Sequence, residues 1–290
     1  MATDLEPVPP WVKNALNAYW DRISAAAPRH RKQPVMPVPI RTSRQGVRSF
    51  GQLGCGHYGC VMHSTKPGVV VKVTSDESEA AFITASKKLS HEPYGMVRYF
   101  KIREVPTQHR GRRVFVIWRE EVYDVGFVGR QRPRGENPYE ARSLKDFEAN
   151  LNLFKTHAAG VRDYMRKSRD PARSLRELKE NEDRAWHLLR DGGSMYHLTG
   201  VLKAAVFLQK CKDIAENMEN TYRSDSVGQA LGAYIEDGML LADVHHNNVA
   251  IAKRRANDYY DSPHEITVIS DPGHMVPLDP KWLQVRIKEV

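Results

Sequence analysis

Apolar residues recur at i, i+4, i+7 and i+11 at Val12, Leu16, Tyr19 and Ile23, with Trp11 and Trp20 beside them. That spacing predicts a short amphipathic helix opening behind Pro9 and Pro10. Residues 28–45 lose the period and collect Pro28, Pro34, Pro37, Pro39 and several arginines, which reads as a basic linker. The pattern then becomes strand-like: Val61 and Met62, a Pro67-Gly68 turn, and Val69 to Val73, with Lys72 the one charge among valines. Ser75, followed by Asp76, Glu77 and Glu79, reads as the N-cap and acidic first turn of a helix. Val97 to Ile102 and Val114 to Val122 predict two more strands. A basic loop, Gly129 to Pro138, leads into four helices at roughly 143–168, 171–190, 196–221 and 226–236. Their breaks fall at Pro171, Gly192-Gly193 and Ser224 to Ser226. Met239 to Leu241 read as a helix end. A polar loop, 243–248, follows, then strands at 249–252 and 266–269 separated by the basic stretch Lys253 to His264.

Chemistry-bearing residues gather at two places in this pattern. The first is the run Gly54-x-Gly56-x-x-Gly59-x-Val61, which precedes a strand rather than a helix. A dinucleotide fingerprint would open a helix directly. A glycine hairpin instead lets backbone approach a phosphate chain closely. Lys72 is then a phosphate contact or a solvated edge-strand residue, and Glu79, seven residues on, is its natural ion-pair partner, with Glu77 the alternative. The second place is Asp243-Val-His-His-Asn-Asn248, five residues from carboxylate to amide, followed by Asp271-Pro-Gly after a strand. Carboxylate and amide oxygens on loops suit Mg²⁺, which keeps several waters. One further carboxylate is what phosphoryl transfer uses to orient the attacking hydroxyl.

Composition narrows the classes. The 290 residues carry a net charge of +9, and the 41% hydrophobic and 27% charged content is that of a globular protein. A basic surface suits acidic partners, though the short runs Arg29 to Lys32 and Lys253 to Arg255 lack interleaved aromatics and read as solvated loops. Direct nucleic-acid binding is therefore only weakly supported. Three cysteines, Cys55, Cys60 and Cys211, make no disulfide framework and no zinc spacing. No stretch approaches the ~20 apolar residues of a membrane span. The expectation is a soluble, cytoplasmic protein with no membrane partner.

The order of these features resembles the protein-kinase-like fold: glycine hairpin, strand lysine, helix glutamate, two strands, helices, Asp-x-x-x-x-Asn, strand, Asp-x-Gly. Within it, Leu53 to Tyr58 and the Asp-x-His-x-x-Asn loop are similar to the early serine/threonine protein kinases of short-tailed bacteriophages. The likeness covers about residues 50–125 and 226–280. It implies an α+β, bilobal architecture: an N-terminal helix and linker (1–45), a small antiparallel β lobe (46–125), and a mostly helical lobe (126–290) cut short after the Asp-x-Gly turn.

By position, the resemblance implies that the backbone of Gly54, Gly56 and Gly59, with Val61, covers the ATP phosphates. Lys72, oriented by Glu79, holds them, and Glu120 to Val122 meets adenine. Asp243 orients the acceptor hydroxyl, with His245 beside it, and Asn248 and Asp271 hold Mg²⁺. The expected activity is ATP-dependent phosphorylation of Ser/Thr in an acidic or nucleic-acid-associated host or partner protein, in the host cytoplasm if the chain is phage-encoded. The four motifs are expected to serve one nucleotide.

The departures from the family pattern matter. Leu241 and Ala242 stand where protein kinases carry His-Arg, so activity is expected without activation-loop phosphorylation. Pro272 replaces the usual Phe. His245 replaces a lysine and is also usual in kinases of small molecules, and near phosphate it would make turnover pH-sensitive around ~6.5. Only nineteen residues follow Asp271, so the helices of 142–236 are expected to supply the substrate platform. Two alternatives stay open. One is a small-molecule phosphotransferase of aminoglycoside or choline type, which would show an acidic lining in 142–236 facing Asp243. The other is a catalytically silent kinase-like binder or inhibitor.

Overall fold

The computed structural model describes residues 52–55, 59–64, 66–89, 92–109, 112–124, 138–192, 198, 200–221, 226–254 and 264–283. The predicted N-terminal helix, the basic linker, Gly56, His197 and most of the two basic loops lie outside them. The described residues are mixed α and β and divide into two compact units.

Of the described residues, the first unit contains those from Gln52 to Thr84 and Arg98 to Glu121. Its core is an antiparallel sheet of β1 (Gln52–Cys55), β2 (Gly59–His63), β3 (Val69–Thr74), β4 (Tyr99–His109) and β5 (Arg112–Glu120), in the order β1-β2-β3-β5-β4. The valine run of β3 and residues Val114 to Trp118 of β5 are buried. Such continuous apolar strands belong in the middle of a sheet covered on both faces. Helix α1 (Glu77–Ser86) buries Ala80, Phe82, Ile83 and Ala85. It is capped by Asp76 rather than the expected Ser75: the Asp76 carboxylate accepts from the Ser78 and Glu79 amides, while Thr74 Oγ1 accepts from the Asp76 amide. Capping needs the side-chain oxygen one residue before the first helical position, and only Asp76 holds it.

Of the described residues, the second unit contains 85–97 and those from Val122 to Leu283. Helix α2 (Pro138–Lys167) starts five residues earlier than the periodicity suggests, on a proline whose missing N–H is no loss at that position. The helix expected over 171–190 is two, α3 (Pro171–Glu180) and α4 (Glu182–Arg190). Asn181 breaks it: its side-chain amide donates to Glu177 O at 2.8 Å, and its backbone N–H is shared by the Glu177 and Leu178 carbonyls. Helices α5 (Gly200–Thr221) and α6 (Ser226–Glu236) complete the set, and α5 packs against α2, α4 and α6.

Met239 to Leu241 are not a helix end but strand β7, paired antiparallel with β10 (Met275–Pro277). Gly238, at φ +83°, stops α6 and turns the chain into the strand. A three-stranded antiparallel sheet, β6-β8-β9, is formed by Val122–Asp124, Val249–Arg254 and His264–Ile269. Val122, expected at the end of the preceding strand, therefore sits opposite Ala252 in this sheet. Residues 94–97 are tied to the same sheet. Ile269 N donates to Gly95 O and Val97 N to Ile269 O, while the buried Arg254 guanidinium donates to the Tyr94 and Met96 carbonyls.

Candidate active site

Within the first unit, Lys72 lies on an interior strand, directly opposite Val61 on β2 and Ile117 on β5. Paired residues in a ladder project from the same face, so the ammonium leaves the sheet among apolar neighbours. Lys72 is 8% exposed and Glu79 fully buried, which removes the solvated edge-strand alternative. Nζ stands 2.9 Å from Glu79 Oε1 and 2.8 Å from Oε2. Glu79, not Glu77, is the partner: Asp76 starts the helix so that Glu79 falls on its inward face, while Glu77 is exposed.

Of the expected phosphate loop, Gly54 on β1 pairs opposite Val61 on β2, and Gly59 opens β2 opposite Thr74. In the stretch expected to meet adenine, the Glu120 amide donates to Arg98 O and the Glu121 amide to Gly68 O. Those two donors are committed to the fold. The Glu120 carboxylate is buried and accepts from the Arg98 amide.

Within the second unit, Asp243, Asn248 and Asp271 are brought together by backbone hydrogen bonds. Asn248 Nδ2 donates to Asp243 O at 2.7 Å, closing the loop on itself. Asn248 O accepts from Ser270 N at 2.7 Å and Asp271 N at 3.4 Å, which fixes the Asp271 turn against the loop. Asp271 Oδ1 accepts from Gly273 N, making the tight Asx turn that the Asp-Pro-Gly sequence favours. Gly273, at φ +61°, packs on Asp243 itself. The 3₁₀ turn His246–Asn248 and the buried Val244, Val249 and Ala250 hold the loop from below.

Sequence reasoning missed one residue here. Lys155, on α2, ion-pairs with Asp243 Oδ1 at 2.8 Å. A signal for it exists: Leu151, Lys155 and Ala158 fall at i, i+4 and i+7, so a lysine occupies the helix's buried stripe.

His245 is half-buried, and its imidazole is held below the usual range. Burial is the main cause, the Lys155 ammonium adds to it, and the Asp243 and Asp271 carboxylates oppose it.

The donor set suits Mg²⁺. With its amide nitrogen on Asp243 O, Asn248 keeps its side-chain oxygen as an acceptor, and one amide oxygen plus the Asp271 carboxylate is a donor set that an ion keeping most of its waters would accept. No group of three or more His, Cys, Asp or Glu side chains forms a metal cluster among the described residues. Among the same residues, no helix is long and apolar enough to cross a membrane.

No protein-family model matches the chain, and no curated protein matches it either.

Proposed function

We propose that the chain is a Mg²⁺-ATP-dependent phosphotransferase of protein-kinase-like architecture, acting on serine or threonine of a protein. The observation that carries the reading is the interlocked set Asp243, Asn248 and Asp271: the Asn248 side-chain amide donates to Asp243 O, and Asn248 O accepts from the Asp271 N–H. A buried lysine–glutamate pair between β3 and α1, Lys72 with Glu79, supports it. In this reading Lys72 binds ATP phosphate oxygens and Glu79 holds its ammonium in place. Asn248 and Asp271 would hold Mg²⁺, which neutralises charge on the phosphates when bound. Asp243 accepts a hydrogen bond from the acceptor hydroxyl and aims its oxygen in line with the γ-phosphorus. Positioning of this kind, with cationic charge, is most of what a loose phosphoryl-transfer transition state needs.

What the helical tract presents to Asp243 favours a protein acceptor. An enzyme for cationic small molecules would line that place with carboxylates, whereas here the contact is a lysine. A small-molecule acceptor of that kind is the weaker reading.

Incubation with γ-labelled ATP and Mg²⁺, with and without a cell lysate, tests the proposal. Label is expected in protein with the wild type and is expected to fall at least about 10²-fold in Asp243→Asn and Asp271→Asn. Label in small solutes would move the acceptor class. No transfer by folded wild type, or transfer untouched by either substitution, would overturn the reading.

A further inference from the structure

Lys155 reaches Asp243 from outside the catalytic loop, and its placement is built rather than incidental. Helix α2 buries Leu151, Phe154, Ala158 and Val161 on the face that carries Lys155, and it packs against α5, the 3₁₀ turn before β8, and β10. The ammonium ends 2.8 Å from Asp243 Oδ1, yet the two side chains are 39% and 36% exposed. A pair so wet contributes little to stability. A fold does not need a lysine on an apolar stripe for that. From Asp243 to Asn248 the loop carries two histidines and neither lysine nor arginine. The ammonium that reaches Asp243 comes from helix α2 instead.

We propose that Lys155 is the missing cation: a residue of helix α2 that holds Asp243 in the resting protein and binds the γ-phosphoryl oxygens during transfer. This inference rests on the phosphotransferase reading above. In the step, the acceptor oxygen forms a bond to the γ-phosphorus while the bond from phosphorus to the β–γ bridging oxygen breaks. The electron pair of that bond leaves with ADP. The hydroxyl proton passes to the Asp243 carboxylate and then to solvent. Lys155 carries its proton throughout, and its charge moves from the carboxylate to the phosphoryl oxygens as Asp243 turns to the hydroxyl. A helix-borne lysine also ties the helical tract to the chemistry, because shifting α2 shifts the charge.

The test compares Lys155→Met, Lys155→Gln and Lys155→Arg with wild type. It reads kcat and KM for Mg²⁺-ATP, affinity for a fluorescent ATP analogue, and Tm. Loss of kcat by about 10²- to 10³-fold is expected in Lys155→Met. KM for ATP and analogue affinity should stay within about threefold, and Lys155→Arg should recover part of the rate. Asp243→Asn combined with Lys155→Met should be no slower than Asp243→Asn alone, as for groups acting as a unit. Lys155→Gln, which keeps most of the stem, replaces Lys155→Met if the latter lowers Tm. An active wild type whose folded Lys155→Met and Lys155→Gln variants keep their kcat overturns the inference and leaves the phosphotransferase reading standing. So does a loss in Lys155→Arg equal to that in Lys155→Met. A folded wild type with no transfer at all removes both.

Discussion

Gly273 lies against Asp243 with no room for a side chain between them: a β-carbon on Gly273 would stand 2.4 Å from Asp243 Cβ. The two residues come from different loops, so the glycine of the Asp-Pro-Gly turn sets where the Asp243 carboxylate sits. Gly273→Ala meets both this close approach and the left-handed backbone at φ +61°. The backbone alone costs about 1–2 kcal/mol. A lower Tm together with a larger fractional loss of ATP turnover than of ATP-analogue affinity is the expected outcome. Unchanged turnover in a folded Gly273→Ala protein would show that Asp243 tolerates the displacement.

The buried Lys72–Glu79 pair makes a separable statement about stability. Removing one partner leaves an uncompensated charge inside the sheet, so Glu79→Leu should cost about 3–5 kcal/mol in urea unfolding. Lys72→Met with Glu79→Leu should recover most of that loss, because two apolar side chains fill the same space. Both variants should lose nucleotide binding. Tight nucleotide binding by the double variant would detach the pair from the site.

His157 carries the acid sensitivity of the α2–α5 packing. It stacks on Phe207 with ring centroids 5.5 Å apart, and its Nδ1 is buried without a partner. Burial, with the Lys210 charge behind it, lowers its pKa from the ordinary histidine value. The unfolded chain therefore binds this proton more readily than the folded one. The stabilising contribution is present above pH ~6.5 and is lost as pH falls through the lower folded value. His157→Leu should flatten the unfolding free energy between about pH 7 and 5. An unchanged slope would place the effect elsewhere.

Magnesium dependence separates site from fold. Chelation with EDTA should abolish phosphoryl transfer while leaving Tm within a degree or two of the Mg²⁺-free baseline, since Asn248 and Asp271 are already held by Asp243 O, Gly273 N and each other's backbone. Asn248→Ala should do the reverse in part. It removes the 2.7 Å loop-closing bond, and Tm should fall along with activity.

What was legible in the sequence is local in origin. The Lys72–Glu79 spacing could be read because a strand, a two-residue connection and one helical turn leave little freedom between them. The Pro67-Gly68 turn, the strands at 249 and 266, and the Asx turn at Asp271 follow from turn chemistry and alternation. Ser75 and Asp76 are adjacent capping residues of nearly equal preference, and only the register of the following helix decides between them. Asn181 interrupts an otherwise continuous amphipathic pattern through a side-chain bond that periodicity does not register. Met239 to Leu241 look like a helix tail until β10, more than thirty residues later, supplies the partner strand. Lys155 is the furthest from reach: its chemistry depends on α2 meeting a loop nearly ninety residues on. The sequence marked it only as one charge on an apolar face.

The chain enters the second unit at residue 85, leaves it after 97 and returns at 122. The excursion has work to do there, since Gly95 and Val97 exchange backbone bonds with Ile269 and Arg254 grips Tyr94 and Met96. A fragment begun at Val122 would leave one edge of β9 bare and take away the Tyr94 and Met96 carbonyls to which the Arg254 guanidinium donates. Dissecting this protein genetically therefore takes a splice that carries residues 85–97 along.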